Sequence, residues 1–186
     1  MAGEDKGLIE LHGRPMIRWV LERFSPQVSQ VLISANRNQE RYAALGNPVV
    51  VDAVSDFSGP LAGLAAGLTS ATTKWLASVP CDSPLVPPDL VKRLYHRAAR
   101  DDVQVVVAHD GQRLQPVFSL VHRDLLPDLM QYLVGGERKI DHWLERHSWR
   151  QVDFSDCREM FLNVNTPKDL ELAGTWSSLE IEHNSS

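Results

Sequence analysis

The chain has 186 residues, 43% hydrophobic and 23% charged, a balance that suits one compact domain of the size of an α/β domain and excludes a disordered or collagen-like chain. Its net charge of -5 excludes a broad basic surface for nucleic acid but not a local basic pocket. Two widely spaced cysteines, no signal peptide and no bilayer-length apolar run predict a cytoplasmic protein that binds neither nucleic acid nor membrane.

Strand-like and helix-like segments alternate along the chain. The first half predicts a helix over residues 16–24, a strand over 31–34, a helix over 38–44, a strand over 49–51, a helix over 61–71 that starts at Pro60, and a strand over 75–79. The second half predicts a helix over 88–100, two strands over 103–108 and 114–121 joined by the hairpin signal Asp110-Gly111, helices over 123–134 and 138–147, a strand over 149–154, and a last helix over 166–173.

This alternation indicates an α/β fold. Repeated strand–helix–strand units predict a mostly parallel sheet flanked by helices, and the three valines at 49–51 predict a strand buried on both sides. Ligands of such sheets bind beyond the carboxyl ends of the strands. We therefore expect one domain over residues 1–173, a frayed polar tail over 174–186, and functional residues where strands end.

Asp82 is the first candidate, because it follows the strand over residues 75–79 in the segment Pro80-Cys81-Asp82-Ser83-Pro84. An isolated carboxylate at a strand end suits Mg²⁺, which takes few protein ligands and leaves positions for phosphate oxygens. The competing interpretation is a turn in which the carboxylate bonds to its own backbone. Position alone does not separate the two.

The next candidates surround the strand over residues 49–51. Asp52 closes that strand and repeats the argument more weakly, while Asp56 fits a solvated turn. The segment Gly59-Pro60-Leu61-Ala62-Gly63 lets the chain pass close to a flat ligand before a helix begins. Small residues that pack a helix tightly on a sheet explain this segment equally well.

Asn163 and Asn165 alternate in an extended segment, so both are expected on one face, with Val164 on the other. The following Thr166-Pro167-Lys168-Asp169 is a helix cap that needs no function. That cap does not explain the two amides, which suggest contacts with a ligand or a metal.

Two segments are candidates for binding an anion. Residues 1–7 read as the second half of a phosphate-binding loop, with Lys6 as its cation, although a flexible polar N-terminus is the alternative. Gly135-Gly136-Glu137-Arg138-Lys139 places two cations at a helix start, which fits an anion site or an ordinary solvated helix end.

Several other chemistries lack their motifs. The sequence contains no Gly-x-x-x-x-Gly-Lys-Ser/Thr loop, no Gly-x-Gly-x-x-Gly, no Gly-x-Ser-x-Gly and no His-Glu-x-x-His. No base is identifiable for Cys81, which is therefore interpreted as a small buried side chain rather than a nucleophile.

Taken together, these segments resemble the molybdenum cofactor guanylyltransferase (MobA-type) family over nearly the whole chain, from Met1 to about Ala173. Each motif alone is weak, but eight in order are specific. They are Asp5-Lys6-Gly7-Leu8, His12-Gly13-Arg14-Pro15-Met16, Ala35-Asn36-Arg37, Val51-Asp52, Gly59-Pro60-Leu61-Ala62-Gly63, Pro80-Cys81-Asp82-Ser83-Pro84-Leu85-Val86-Pro87, Gly136-Glu137-Arg138 and Asn163-Val164-Asn165-Thr166-Pro167.

The resemblance implies a Rossmann-like nucleotidyltransferase fold. It implies an enzyme that transfers GMP from GTP to the terminal phosphate of molybdenum-bound molybdopterin, with Mg²⁺ and with release of pyrophosphate. Such transfer needs positioning and charge neutralisation more than a covalent nucleophile. The implied partners are GTP and molybdopterin, then molybdenum enzymes and their cofactor-handling proteins.

The resemblance also assigns roles to residues. Lys6 and Asp82 are implied to be catalytic, Lys6 on the GTP phosphates and Asp82 on the metal. Asn165, with Asn163, is implied to face the metal or the pterin, and Arg138 the pterin side. The residues implied to bind along the nucleotide are Ser34, Asp52, Gly59, Leu61 and Gly63.

The chain departs from the family pattern in two places. Ser34 stands where the pattern carries an asparagine that contacts the nucleotide, and its reach is shorter. The pattern also begins with a buried strand and a Leu-Ala-Gly-Gly loop, and Met1 aligns with a methionine beyond them. The resemblance therefore implies a missing first strand and a start upstream of Met1, which the in-frame upstream codons would test.

Two alternative functions remain open at this point. A cytidylyltransferase that modifies the same pterin with CTP resembles the chain less, because its loop and metal segments differ from residues 59–63 and 80–82. A non-catalytic protein that binds and delivers the cofactor is favoured by the incomplete phosphate loop.

Overall fold

The computed structural model describes residues 5–52 and 59–183, with side-chain surroundings through residue 175. Residues 1–4 of the predicted phosphate loop and Asp56 lie outside the described residues. The strands are β1 (Glu10–Leu11), β2 (Arg14–Pro15), β3 (Ile33–Ser34), β4 (Val49–Val50), β5 (Trp75–Ser78), β6 (Val105–His109), β7 (Leu114–His122) and β8 (Trp149–Asp153). The α-helices are α1 (Met16–Phe24), α2 (Gln39–Ala43), α3 (Pro60–Ser70), α4 (Leu90–Asp101), α5 (Leu126–Val134), α6 (Ile140–Leu144) and α7 (Pro167–His183).

The largest sheet has four strands in the order β5-β7-β6-β8. Both β5 and β6 pair antiparallel with β7, while β8 pairs parallel with β6. Three strands therefore run in one direction and β7 alone runs against them. The prediction of a mostly parallel sheet is therefore confirmed for strand direction. Two of the three strand pairs are nevertheless antiparallel, because the predicted hairpin at Asp110-Gly111 reverses the chain and places β7 between β5 and β6.

Helices cover both faces of this sheet, as the strand–helix alternation predicts. On one face Val105 and Val107 pack with α3, α5 and α6 in a cluster that includes Trp143. On the other face Val106 and Ala108 pack with α1 and α4. Successive residues of β6 point to opposite faces, and each face is apolar, so β6 is buried on both sides.

A second sheet is formed by β3 and β4, which pair in parallel. The amides of Ile33 and Ala35 donate to the carbonyls of Pro48 and Val50 at 2.9 and 3.0 Å. The prediction that residues 49–51 are buried on both sides is wrong, since Val51 is 47% exposed. Among the described strands β4 pairs only with β3, so the valine run lies at a sheet edge.

A cavity of about 470 Å³ lies between the two sheets. Ser34 of β3 and Leu76 of β5 are among the residues that line it, and α3 spans both sides. A Cβ atom on Gly63 would lie 3.1 Å from the Ser34 hydroxyl, and one on Gly67 would lie 2.9 Å from Leu76 Cδ2. Glycine at these two positions lets α3 approach both sheets closely.

The observed helix bounds agree with the predicted ones to different degrees. The α1 helix has the predicted bounds. The α6 helix begins at Ile140 rather than residue 138, because Gly136 has a φ of 88° and Lys139 is extended. The last helix was predicted to end at Ala173 but reaches His183.

No described helix is long and apolar enough to cross a membrane.

Gly174 explains the error at the last helix. The predicted polar tail begins at Gly174, but this residue lies inside α7, where the helix meets the β1–β2 turn. A Cβ atom there would lie 3.2 Å from His12 Nε2, and the Gly174 carbonyl lies 2.9 Å from the same nitrogen. The missing side chain permits a close tertiary contact, so this glycine does not signal a terminus.

Candidate nucleotide-binding site

Lys6 lies in a single-turn 3-10 helix over Lys6–Leu8. The Leu8 amide donates to the Asp5 carbonyl at 2.9 Å, which closes the turn. Leu8 is buried in a cluster that includes Ile17 and Ile33. This apolar anchor fixes the turn on the second sheet, while the Lys6 side chain is 41% exposed.

Three residues that are distant in sequence meet at the Lys6 ammonium group. Lys6 Nζ donates to Asp82 Oδ2 at 3.2 Å across 76 residues of chain. It also donates to the amide oxygen of Asn165 across 159 residues. The structure therefore brings the predicted site residues Lys6, Asp82 and Asn165 into one cluster.

The segments that carry Asp82 and Asn165 are joined directly. The Val164 amide donates to the Asp82 carbonyl at 2.8 Å, and Val164 is fully buried. The Ser83 hydroxyl donates to the amide oxygen of Asn163. Asn163 thus joins the two segments through Ser83, whereas Asn165 contacts Lys6 itself.

The helix cap predicted at the start of α7 also holds Asn165. The Asp169 carboxylate accepts the amides of Asn165 and Thr166 at 3.1 and 2.8 Å, and the Asp169 amide donates to the Thr166 hydroxyl at 3.2 Å. The side-chain hydrogen bond with Thr166, followed by the bond from the Asn165 amide, lowers the pKa of the Asp169 carboxyl. A cap that stabilises a helix start therefore also fixes the backbone of a site residue.

The contact between Lys6 and Asp82 contributes little to folding. The Lys6 side chain is 41% exposed and that of Asp82 15% exposed. A pair with one exposed partner stabilises a fold by about 1 kcal/mol or less. Because so little stability depends on this pair, either charge is available to a ligand at small cost to the fold.

Asp52 is held by Asn36, which follows β3. The Asn36 amide nitrogen donates to Asp52 Oδ2 at 2.6 Å, and the Asp52 amide donates to Asn36 Oδ1 at 3.0 Å. The second carboxylate oxygen, Oδ1, is buried and has no hydrogen-bond partner among the described residues. An unpaired buried acceptor is costly, so a ligand that donates to it would gain a hydrogen bond.

The predicted segment Gly59-Pro60-Leu61-Ala62-Gly63 forms the start of α3. Gly59 has a φ of 94°, in the region that favours glycine, and precedes the first helical residue. Gly63 lies against Ser34. Leu61 is fully buried in the core, so any contact with a nucleotide would have to use its backbone.

Two hydrogen bonds of Arg138 lie around the end of α5 and not at the Lys6 cluster. Its guanidinium group donates to the carbonyls of Leu133 and Glu137 at 2.7 and 2.6 Å. A role for Arg138 beside the pterin stays a prediction.

Cys81 lacks the environment of a nucleophile. Desolvation raises the pKa of its thiol to about 11, and the carboxylates of Asp82 and Asp5 add to this effect. The thiol is therefore protonated at neutral pH, which agrees with its interpretation as a non-nucleophile. The predicted burial of Cys81 is wrong, since the residue is exposed although the protein atoms around its thiol desolvate it.

Sequence reasoning missed three residues around the site. Asn36 had a usable signal, because it lies two residues after Ser34 and thus on the same side of an extended segment. Asp5 lies in the quoted motif Asp5-Lys6-Gly7-Leu8 but was given no role, and Tyr42 gave no signal, since their contact joins the N-terminal turn to α2. The Tyr42 hydroxyl donates to the Asp5 carboxylate.

The chain has clear similarity to known proteins. Residues 1–152 match the MobA-like NTP transferase domain family. A molybdenum cofactor guanylyltransferase of Vibrio campbellii is 47% identical over 178 residues, which cover 96% of this chain and 90% of that protein. One of Shewanella sediminis is 45% identical over 168 residues, covering 90% of this chain and 86% of the relative.

Solved structures share the fold at lower sequence identity. The molybdopterin-guanine dinucleotide biosynthesis protein A of Archaeoglobus fulgidus has a TM-score of 0.78 at 24% identity, covering 95% of this chain and 92% of that one. The 2-C-methyl-D-erythritol 4-phosphate cytidylyltransferase of Thermus thermophilus has a TM-score of 0.71 at 17% identity, covering 93% and 94%. Both similarities concern the nucleotidyltransferase fold.

Proposed function

The chain belongs to the MobA-like NTP transferase domain family, and we propose that it transfers GMP from GTP to molybdenum-bound molybdopterin, with release of pyrophosphate. It is a nucleotidyltransferase of molybdenum cofactor biosynthesis, like the guanylyltransferases to which it is 47% identical. The observation that carries the proposal is the meeting of Lys6, Asp82 and Asn165 at one point from three distant segments.

Lys6 supplies the positive charge that the reaction needs. The pterin's terminal phosphate attacks the α-phosphorus of GTP, and the bond to the departing pyrophosphate breaks while negative charge spreads over the phosphate oxygens. Such transfers are catalysed by positioning and charge neutralisation. An ammonium group that is 41% exposed, on a turn anchored by buried Leu8, meets both requirements.

Asp82 and Asn165 fit a magnesium ion. Their oxygens both contact the Lys6 ammonium, so a cation already lies between a carboxylate and an amide oxygen. Mg²⁺ prefers oxygen ligands and takes few from protein when phosphates supply others. When bound, the ion neutralises phosphate charge. The described residues contain no cluster of three acidic, histidine or cysteine side chains that could hold a metal, so the phosphates would have to supply most of the ligands.

The nucleoside would bind along the second sheet. Asp52 offers a buried, unpaired carboxylate oxygen to a donor of the nucleoside, and Asn36 holds its other oxygen. Ser34 and the Gly59–Gly63 segment lie at the neighbouring strand end and helix start. The product would pass to molybdenum enzymes or their cofactor-handling proteins.

Pyrophosphate release from GTP in the presence of molybdenum-bound molybdopterin tests the proposal. We expect turnover by the unaltered chain and a loss of at least about 100-fold for Lys6→Ala, the size expected when one charge-stabilising donor is removed. Lys92→Ala, at an exposed position of α4, is the matched control and should turn over normally.

Two results would overturn the proposal, and each supports one alternative. Equal turnover with CTP would defeat the guanylyl assignment in favour of a cytidylyltransferase. Binding of molybdopterin without turnover of either nucleotide would indicate a protein that carries the cofactor.

A further inference from the structure

Tyr42 contacts both residues that flank Lys6. Its hydroxyl donates to the Asp5 carboxylate on one side. On the other side a Cβ atom on Gly7 would lie only 2.7 Å from the same hydroxyl oxygen. The lysine backbone is therefore held between two residues that share one contact partner.

Asn38 provides a second anchor for Asp5. Its amide nitrogen donates to Asp5 Oδ2 at 3.0 Å, so the two carboxylate oxygens bond to two side chains from the α2 region. Asn38 has a φ of 50°, in the left-handed region that asparagine tolerates better than most residues. The residue before Lys6 is thus fixed in position and orientation.

The environment of Tyr42 suits a fixed donor. The residue is 3% exposed and packs with Leu8 and Ile33 beneath the lysine turn. Burial, followed by the hydrogen bond to Asp5, raises the pKa of Tyr42 far above its usual range, so the hydroxyl keeps its proton at neutral pH. A protonated hydroxyl beside a carboxylate can only donate to it.

We propose that Tyr42 is a positioning residue for Lys6, which aims the ammonium group at the GTP phosphates by holding Asp5 and Gly7. This inference rests on the proposed function. It adds that the phosphate contact depends on the α2 region, through Tyr42 and Asn38. The lysine side chain is long and flexible, so a fixed backbone reduces the entropy lost when it binds phosphate.

Tyr42→Phe tests the role with little disturbance of the core. The ring stays in its apolar cluster and only the hydroxyl is lost. Because a hydrogen bond to a charged group is removed, we expect GTP to bind about ten-fold more weakly by calorimetry, with Tm changed by only a few degrees. Tyr95→Phe is the matched control, since Tyr95 is 48% exposed on α4, and should bind GTP normally.

Asn38→Gly tests the second anchor. Glycine accepts the left-handed backbone at residue 38, so only the amide that holds Asp5 is removed. We expect weaker GTP binding in the same direction as for Tyr42→Phe. Normal GTP binding by both variants would overturn the inference.

A double-mutant cycle separates positioning from general packing. If Tyr42 acts through Lys6, GTP binding by Lys6→Ala/Tyr42→Phe will be no weaker than by Lys6→Ala alone. Additive losses would overturn the inference, because Tyr42 would then act independently of the lysine.

The outcomes also separate this inference from the proposed function. A large effect of Lys6→Ala with none of Tyr42→Phe would refute the positioning role and leave the function intact. Weakened GTP binding that follows the cycle, without pyrophosphate release, would support positioning and refute the activity. Failure of the unaltered chain to bind GTP would overturn both.

Discussion

The three residues of the Lys6 cluster show what a sequence can and cannot disclose about a site. Lys6, Asp82 and Asn165 are predictable because each lies in a recognisable segment, and the order of these segments matches a family. Their contact is not, because it joins positions 76 and 159 residues apart. The contact between Asp5 and Tyr42 was not predicted for a related reason. A buried tyrosine in a short helix looks like ordinary core until its hydroxyl partner is known.

Gly7 is a residue at which one methyl group should disturb the site. A Cβ atom there would lie 2.7 Å from the Tyr42 hydroxyl and 3.2 Å from Cys81 Cβ, so the turn must shift. We expect Gly7→Ala to weaken GTP binding by about ten-fold or more in calorimetry.

The matched control for this change is Gly67→Ala. It adds the same methyl group, which meets only the flexible tip of Leu76 at 2.9 Å within the core. GTP binding by Gly67→Ala should stay normal. Equal effects of the two substitutions would show that the turn around Lys6 is not specifically tight.

Asp82→Asn should change the metal requirement. The substitution keeps the shape and one oxygen but removes the negative charge that attracts a divalent cation. We expect turnover to need a higher Mg²⁺ concentration and to fall by about 10–100-fold at a fixed concentration, and EDTA to abolish activity of the unaltered chain. Asp124→Asn, at a side chain that is 77% exposed, is the control. An unchanged Mg²⁺ titration would contradict the metal role of Asp82.

At the scale of elements, both local sequence signals and tertiary contacts determine where helices begin and end. The cap at Thr166 and Asp169 was predictable, because both partners lie within one turn. The continuation of α7 past Gly174 was not, because that glycine is required by His12 from another part of the chain. The late start of α6 likewise follows from backbone conformations near Gly136 rather than from its apolar pattern.

Asp128 joins α5 to α6 and should make stability depend on pH. Its carboxylate accepts from Trp143 Nε1 at 3.0 Å and Arg146 Nη2 at 2.6 Å, and it lies 3.0 Å from His147 Nε2. The bond from Arg146, with that from Trp143, lowers the pKa of the Asp128 carboxyl. Because the folded pKa is depressed, this stabilisation is complete above the unfolded value of about 3.9 and is lost as the pH falls through the folded value.

Asp128→Asn should reveal this contribution. At pH 7 we expect the free energy of unfolding to fall by about 1–2 kcal/mol, since hydrogen bonds to a charged acceptor are weakened. Between pH 5 and pH 2 the stability of the variant should decline less steeply than that of the unaltered chain. Urea unfolding across this range would measure both effects, and parallel curves for the two proteins would contradict the prediction.

At the scale of the whole molecule, the sheet is divided. The alternating pattern predicted the layers correctly, since helices cover both faces of the larger sheet. Strand order was not predictable, because it is not encoded within a single segment. β3 and β5 lie on opposite sides of the cavity of about 470 Å³, and α3 packs against both strands.

This division predicts an alternating pattern of amide protection along β3 and β5. Ile33 and Ala35 donate to β4, so the amide of Ser34 between them points toward the cavity. The backbone amide of Arg123 donates to the Lys74 carbonyl at 2.8 Å, which fixes the register of β5 on β7. In this register Leu76 and Ser78 are the hydrogen-bonded residues of β5, so the amide of Ala77 between them points away from β7 and toward the cavity. Hydrogen exchange by NMR should therefore be faster at Ser34 and Ala77 than at their neighbours along each strand. Equal protection of Ser34 and Ala35 would mean that the edges facing the cavity are covered in solution, because a protected amide requires a hydrogen-bond partner.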